Sequence, residues 1–145
     1  MKKILMILPA MLAVVLSAFA GKDDEARARA NFNRQFAGAE NVSWSTTDND
    51  FHKATFLWAG HRTEAYFSNE GKFVGAIRGL FYQQLPISVV RSVDDKYDGR
   101  VILEVREIAN QEGTTYSVLM NWKKKCYRVR LHADGSVIET ERIRK

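Results

Sequence analysis

Residues 51–67 read FHKATFLWAGHRTEAYF, and the fold is decided here. Ala54 and Phe56 alternate with Lys53, Thr55 and Leu57. After Ala59-Gly60 a second alternating run follows, in which Ala65 and Phe67 alternate with Glu64 and Tyr66. Period-two patterning on both sides of a two-residue turn is the mark of a β-hairpin. A turn at Ala59-Gly60 sets Trp58 opposite His61, Phe56 opposite Thr63 and Ala54 opposite Ala65. His52, Ala54, Phe56, Ala65 and Phe67 then share one face, and Lys53, Thr55, Leu57, Arg62, Glu64 and Tyr66 share the other. The apolar face needs a cover, whereas the mixed face can meet water.

Residues 114–131, TTYSVLMNWKKKCYRVRL, repeat the device. Their register gathers Tyr116, Val118, Met120, Tyr127, Val129 and Leu131 on one face. Ser117, Leu119, Cys126, Arg128, Arg130 and His132 fall on the other. Moving the chain by 64 positions lays Trp58 on Trp122, Gly71 on Gly135 and Arg78 on Arg142. It also keeps the turns and the apolar alternation in phase over two hairpins.

The flanking segments complete two units. Asp23-Asp24-Glu25 and the alanines that follow open a helix, because acidic groups suit a helix N-terminus and alanine is the strongest helix former. Phe32 and Phe36 mark its buried side, and Gly38 ends it. Val42 to Ser45 form a strand, and Phe73 to Ile77 another after the turn at Asn69-Glu70-Gly71. Leu85-Pro86 starts a second helix, with the proline in its first turn. Leu85, Val89, Val93 and Tyr97 form one apolar stripe on it, and Asp98-Gly99 closes it. Val101 to Val105 and Ser136 to Ile143 supply the remaining strands. The expected fold is α+β, a tandem repeat over about 23–79 and 83–143. Each unit is a helix packed on one face of a four-stranded antiparallel sheet, with the other face open.

Ahead of the repeat, Lys2 and Lys3 precede a stretch from Ile4 to Ala20 without a charge, ending Ala18-Phe19-Ala20. A basic start, a short apolar run interrupted by Pro9 and a small-residue exit make a secretory signal peptide over residues 1–20, the alternative being an uncleaved anchor. Cleavage is expected between Ala20 and Gly21, which leaves 21–145 as one domain, without a membrane span, in the periplasm or outside the cell. The formal charge of +5 includes two lysines of the leader and is spread along the chain, which does not suit a nucleic-acid binder. Cys126 is the only cysteine, so no intramolecular disulfide can form, and it reads as a strand-lining small hydrophobe.

No constellation of catalytic groups emerges. His52, His61 and His132 stand in no metal-binding spacing, and the first and last fall on opposite faces. Asp48-Asn49-Asp50 and Asp94-Asp95 lack the glycine and distant glutamate of a calcium loop. Cys126 has no neighbouring base, and no nucleophile elbow or phosphate-cradling glycine loop is present. Neither a cofactor nor a metal is expected.

Phe32-x3-Phe36 followed by Ala39-Glu40-Asn41-Val42-Ser43-Trp44 is similar to the opening motif of the PepSY-like, β-lactamase-inhibitor-like family of exported bacterial proteins. Ala54-Thr55-Phe56, Ala65 to Gly71, Leu85-Pro86-x2-Val89 with Tyr97, and Leu131 to Gly135 extend the resemblance over the whole domain. It departs at Phe36-Ala37, where the family often has Phe-Pro. The resemblance implies an inhibitor-like tandem α/β fold and an extracytoplasmic location, and it transfers no contact residues.

These readings lead to an exported, non-enzymatic binding module that inhibits or modulates an extracytoplasmic enzyme. The alternatives are a small ligand carrier or hydrolase with a site between the repeats, and an envelope-associated scaffold. The expected partner is another extracytoplasmic protein with an acidic surface. The candidate contact residues are Trp58 and Trp122 at the hairpin tips, with Arg62, Tyr66, Arg78, Arg128 and Arg130 on the open face.

Overall fold

The computed structural model describes residues 10–144, with side chains from Lys22 onward. Helix α1 (Ala10–Gln35) is followed by β1 (Glu40–Thr46), β2 (His52–Trp58), β3 (His61–Phe67) and β4 (Phe73–Gly79). A short 3-10 turn (Tyr82–Gln84) leads into α2 (Ile87–Lys96). The remaining strands are β5 (Val101–Asn110), β6 (Gly113–Trp122), β7 (Lys125–His132) and β8 (Val137–Ile143).

The strands form one eight-stranded antiparallel sheet in sequence order, so the two units, each too small to be stable alone, share a sheet. The join is β4–β5, where Gly75 pairs with Asn110 and Ala76 with Ala109. Close pairing needs glycine there, since a Cβ on Gly75 would stand 2.8 Å from the Ala109 carbonyl oxygen. Continuing the β4 ladder into β5 satisfies backbone groups that two separate sheets would have left at open edges.

Both helices lie on the same side of this sheet. Phe56 pairs with Thr63, Thr63 with Arg78, Arg78 with Glu107, Glu107 with Tyr116 and Tyr116 with Leu131, and paired residues share a face. Beneath α1, Ala28, Phe32 and Phe36 close over Ala54, Phe56, Ala65 and Phe67. Phe32 meets Phe56 edge-on at 4.8 Å between centroids, and β1 adds Trp44 at 5.4 Å from Phe32. Beneath α2, Leu85, Val89, Val93 and Tyr97 are all buried over Val118, Met120, Val129 and Leu131, as the stripe at spacing four requires.

The two halves repeat their fastenings. Trp58 donates its indole N–H to the Ala37 carbonyl at 3.2 Å, and Trp122 donates to the Asp98 carbonyl at 2.9 Å. Each thereby satisfies a carbonyl just past the end of its helix. Asn31 of α1 donates to the Gly71 carbonyl at 2.7 Å, and Ser92 of α2 to the Gly135 carbonyl at 2.6 Å. Both glycines have positive φ, and both touch their helix so closely that no side chain fits.

Three expectations change. The sequence signals for a helix start at Asp23, yet α1 runs from Ala10 without a break across Ala20–Gly21. Alanine, leucine and valine in that segment sustain a helix, and one glycine does not stop it. Residues 1–9 of the expected leader lie outside the described residues. Pro86 caps α2 from outside, with its carbonyl accepting from Val89 and Val90, instead of occupying the first turn. Arg78 moves to the helix side. Tyr66 pairs with Gly75 but Phe67 with Phe73, so Val74 is a bulged residue. An extra residue inverts the alternation after it, and the face read from Phe73 onward is therefore the wrong one. Ile138 does the same in β8, since Arg130 pairs with Glu139 and Leu131 with Val137.

Candidate functional site

The sheet face away from the helices is the candidate site. Each strand contributes its alternate residues by register: Lys53, Thr55 and Leu57 from β2, then Arg62, Glu64 and Tyr66 from β3. Gly75, Ile77 and Gly79 of β4 meet Asn110, Ile108 and Arg106 of β5. Ser117 and Leu119 of β6 meet Arg130 and Arg128 of β7, which in turn face Glu139 and Glu141 of β8. The middle of the face is flat because β4 presents glycine at two of its three positions there.

Charge on this face alternates in sign. Lys53 Nζ lies 3.8 Å from Glu64 Oε1, and the Tyr66 hydroxyl donates to Glu64 Oε2 at 2.9 Å. Burial, followed by the adjacent Glu64 carboxylate, pushes the Tyr66 hydroxyl up to about 12. Arg106 pairs with Glu104 at 2.9 Å, and Arg130 with Glu139 at 3.3 Å. Arg62, Glu64, Glu104 and Arg106 surround a shallow depression of about 270 Å³ floored by Ile77 and Gly79. The pairing is incomplete: among the described residues Arg62 and Arg128 have no ion-pair partner, and Arg130 Nε is buried without a hydrogen-bond partner.

The expected contact residues therefore divide. Arg62, Tyr66, Arg128 and Arg130 share the open face. Trp58 and Trp122 stand on the helix side, half-buried, with their N–H groups engaged. Trp58 packs edge-on against Phe36 at 5.3 Å, and Trp122 against Tyr97 at 5.1 Å. Arg78 lies at the seam between the two helices, 2.9 Å from Glu107 Oε1, while the Tyr116 hydroxyl reaches Glu107 Oε2 at 3.4 Å. The seam, where a ligand between the repeats would sit, thus holds an ion-paired cluster in which Arg78 Nε is nevertheless buried without a partner.

Sequence reasoning does not single out Glu64, Glu104, Glu139 and Glu141, which the register places on the open face. The register of the first hairpin places Glu64 on it without suggesting a role. The other three stay hidden because a bulged residue shifts the alternation just ahead of them, Leu103 in β5 and Ile138 in β8. Their signal is charge alternating with apolar residues, as in Leu103-Glu104-Val105-Arg106.

Cys126 lines the open face opposite Asn121 and Ile143. His61 Nε2 stands 3.4 Å from the Gln84 amide, and His132 is exposed beside the β7–β8 turn. Among the described residues no three histidine, cysteine or acidic side chains gather as a metal site.

No family model matches the chain, and no curated protein matches it. Solved structures do. A BLIP-like protein from Bacteroides fragilis superposes with a TM-score of 0.75 at 14% identity, over 83% of this chain and 86% of that one. A DUF2874 family protein from Bacteroides uniformis gives 0.74 at 18% identity, over 81% and 88%. A candidate periplasmic protein from Bacteroides eggerthii gives 0.73 at 15%, over 81% and 87%. The likeness shows a BLIP-like fold, an α+β sheet with its helices on one side. The inhibitor-like half of the motif resemblance is matched at the level of the fold. The PepSY-like name rests on the motifs alone.

Proposed function

We propose that this chain is an exported, non-enzymatic binding module that takes a partner protein on the open face of its sheet. The observation that carries the reading is a broad sheet face, left uncovered by both helices, that mixes arginines, carboxylates and the apolar side chains of Leu57, Ile77, Ile108 and Leu119. Exposed rows of this kind, broad, only shallowly indented and carrying both signs of charge, fit a protein better than a small molecule. Support for export comes from the Lys2-Lys3 start and apolar run of the leader. The periplasmic designation of the B. eggerthii neighbour and the BLIP-like name of the B. fragilis one agree with export and with protein binding. The matched fastenings of the two halves support a tandem of α-β4 units fused through one sheet. A preference for an acidic partner rests on Arg62 and Arg128, because Arg130 already has Glu139.

The test uses three variants, Arg62→Glu, Leu57→Asp and, on the helix side, Arg91→Glu. Cross-linked partners are captured from the exported proteins of the producing cell. The reading requires that the two open-face variants lose a partner which wild type and Arg91→Glu retain. Capture by all four chains alike would refute it.

A further inference from the structure

The tip of the β6–β7 hairpin is built from three consecutive lysines, Lys123, Lys124 and Lys125. Lys123 and Lys124 form the turn, with φ of +47° and +62°. The equivalent tip of the first half uses Ala59 and Gly60, at +50° and +79°. Glycine and asparagine suit this turn, and a residue with a long side chain enters it reluctantly. Two adjacent like charges have thus been placed where neither the backbone nor the electrostatics favours them.

The surroundings sharpen the contrast. Lys123 lays its ammonium 4.3 Å from the centre of the Trp122 ring and so turns to the helix side. Lys124 and Lys125 line a pocket of about 550 Å³ that wraps the end of the sheet, bordered by Asn121 and Cys126 from the open face, by Lys125 and Arg142 from the helix side of the register, and by Arg144. Among the described residues four basic side chains border this pocket and no acidic one does. Among the described residues none of the four has an ion-pair partner, a state shared elsewhere by Arg62, Arg91 and Arg128, which do not cluster in this pocket. Strain and uncompensated like charge coincide at one end of the sheet, and local strain of this kind gathers at functional sites.

We propose that this pocket is an oxyanion site for a phosphate-bearing ligand that carries two or more negative charges. Two guanidinium groups offer the planar forks that match phosphate oxygens, two ammonium groups add point charges, and the Asn121 amide adds a neutral donor. Four cations exceed what a single carboxylate needs. The same phosphate chemistry comes from a free phosphate compound or from a lipid headgroup. The site lies at the hairpin end of the sheet and does not depend on the open face binding a protein.

Cys126 is a built-in reporter, tested on the full chain exported under its own leader. Iodoacetate and iodoacetamide consume the same thiolate, so the ratio of their rates reads the local potential and any difference in thiol ionisation cancels. At low salt the ratio should exceed that of a free cysteine peptide by about three- to tenfold, and it should collapse toward the peptide value at ~1 M salt. Inorganic pyrophosphate at millimolar concentration should slow both reagents. Lys124→Gly relieves the turn, so its unfolding midpoint should stay level or rise while pyrophosphate protection weakens at least about fivefold. Arg142→Gln with Arg144→Gln should weaken protection further, and Lys96→Gln should not. Protection by phosphatidylglycerol vesicles, but not phosphatidylcholine vesicles, in addition to pyrophosphate identifies a headgroup. Protection by pyrophosphate alone identifies a free phosphate compound. The proposal is overturned if pyrophosphate gives no protection, if it protects Lys124→Gly and the double arginine variant as well as wild type, or if only citrate or an acidic peptide protects.

Discussion

Replacing Gly135 with alanine should separate the helix α2 from its sheet, and the structure fixes how much this costs. Gly135 has φ of +88°, and a Cβ there would lie 2.4 Å from the Ser88 carbonyl oxygen and 2.6 Å from Ser92 Oγ. Ser88 is in the first turn of α2, and Ser92 Oγ donates the 2.6 Å bond to the Gly135 carbonyl. Three effects add. The left-handed backbone costs an alanine about 1 kcal/mol. Loss of the Ser92 bond costs about 1 kcal/mol. Forcing the helix turn outward costs a further ~1–3 kcal/mol, as overpacking does elsewhere. The sum is about 3–5 kcal/mol. Gly60→Ala supplies the control, because Gly60 has φ of +79° and nothing within 4 Å of a Cβ. That variant should lose only the backbone component, about 1 kcal/mol. Urea unfolding followed by tryptophan fluorescence measures both. If Gly135→Ala falls within about 0.5 kcal/mol of Gly60→Ala, the close docking of α2 on the β7–β8 turn does not exist in solution.

Trp122→Phe retains the ring packing on Tyr97 but removes the donor to the Asp98 carbonyl, and should cost about 1 kcal/mol in the same urea experiment. Trp58→Phe should cost a similar amount, since its bond to Ala37 is the equivalent one. The raised Tyr66 hydroxyl has a defined consequence at alkaline pH. The folded chain holds this proton to about 12 while the unfolded chain releases it near the ordinary value of 10.0, so the contribution to stability is complete below that value and is lost as pH rises toward 12. Urea midpoints measured across this window should fall less steeply for Tyr66→Phe than for wild type.

Much of the fold is written locally. The hairpin of residues 51–67 states its own register, because turn and alternation agree and only one pairing buries Phe56 and Phe67 together. The α2 stripe from Leu85 to Tyr97 is equally direct. What alternation cannot reveal is a residue that breaks it. Val74 and Ile138 are ordinary β-branched side chains, and nothing in their identity says that each is the extra residue of a bulge. Alternation therefore puts Arg78 on the wrong face, although it finds the strand itself correctly. The β4–β5 pairing is hidden for a different reason. It joins segments separated by a helix, and no turn residue announces it. The candidate face is half legible: its arginines stand out from the hairpins, while Glu104 and Glu139 lie just past bulged residues that invert the alternation.

The order of the strands has a kinetic consequence. Apart from β4–β5, every ladder joins strands that follow one another with only a short turn between, so each closes from a nearby pair of residues. The closure between Gly79 and Val101 alone must span the segment that carries α2. The entropy of bringing ends together grows with the length of the intervening chain, and contacts distant in sequence slow folding. Each half can nucleate around its own aromatic or aliphatic cluster, and the zipping of β4 to β5 becomes the late event that turns two nascent units into one cooperative body.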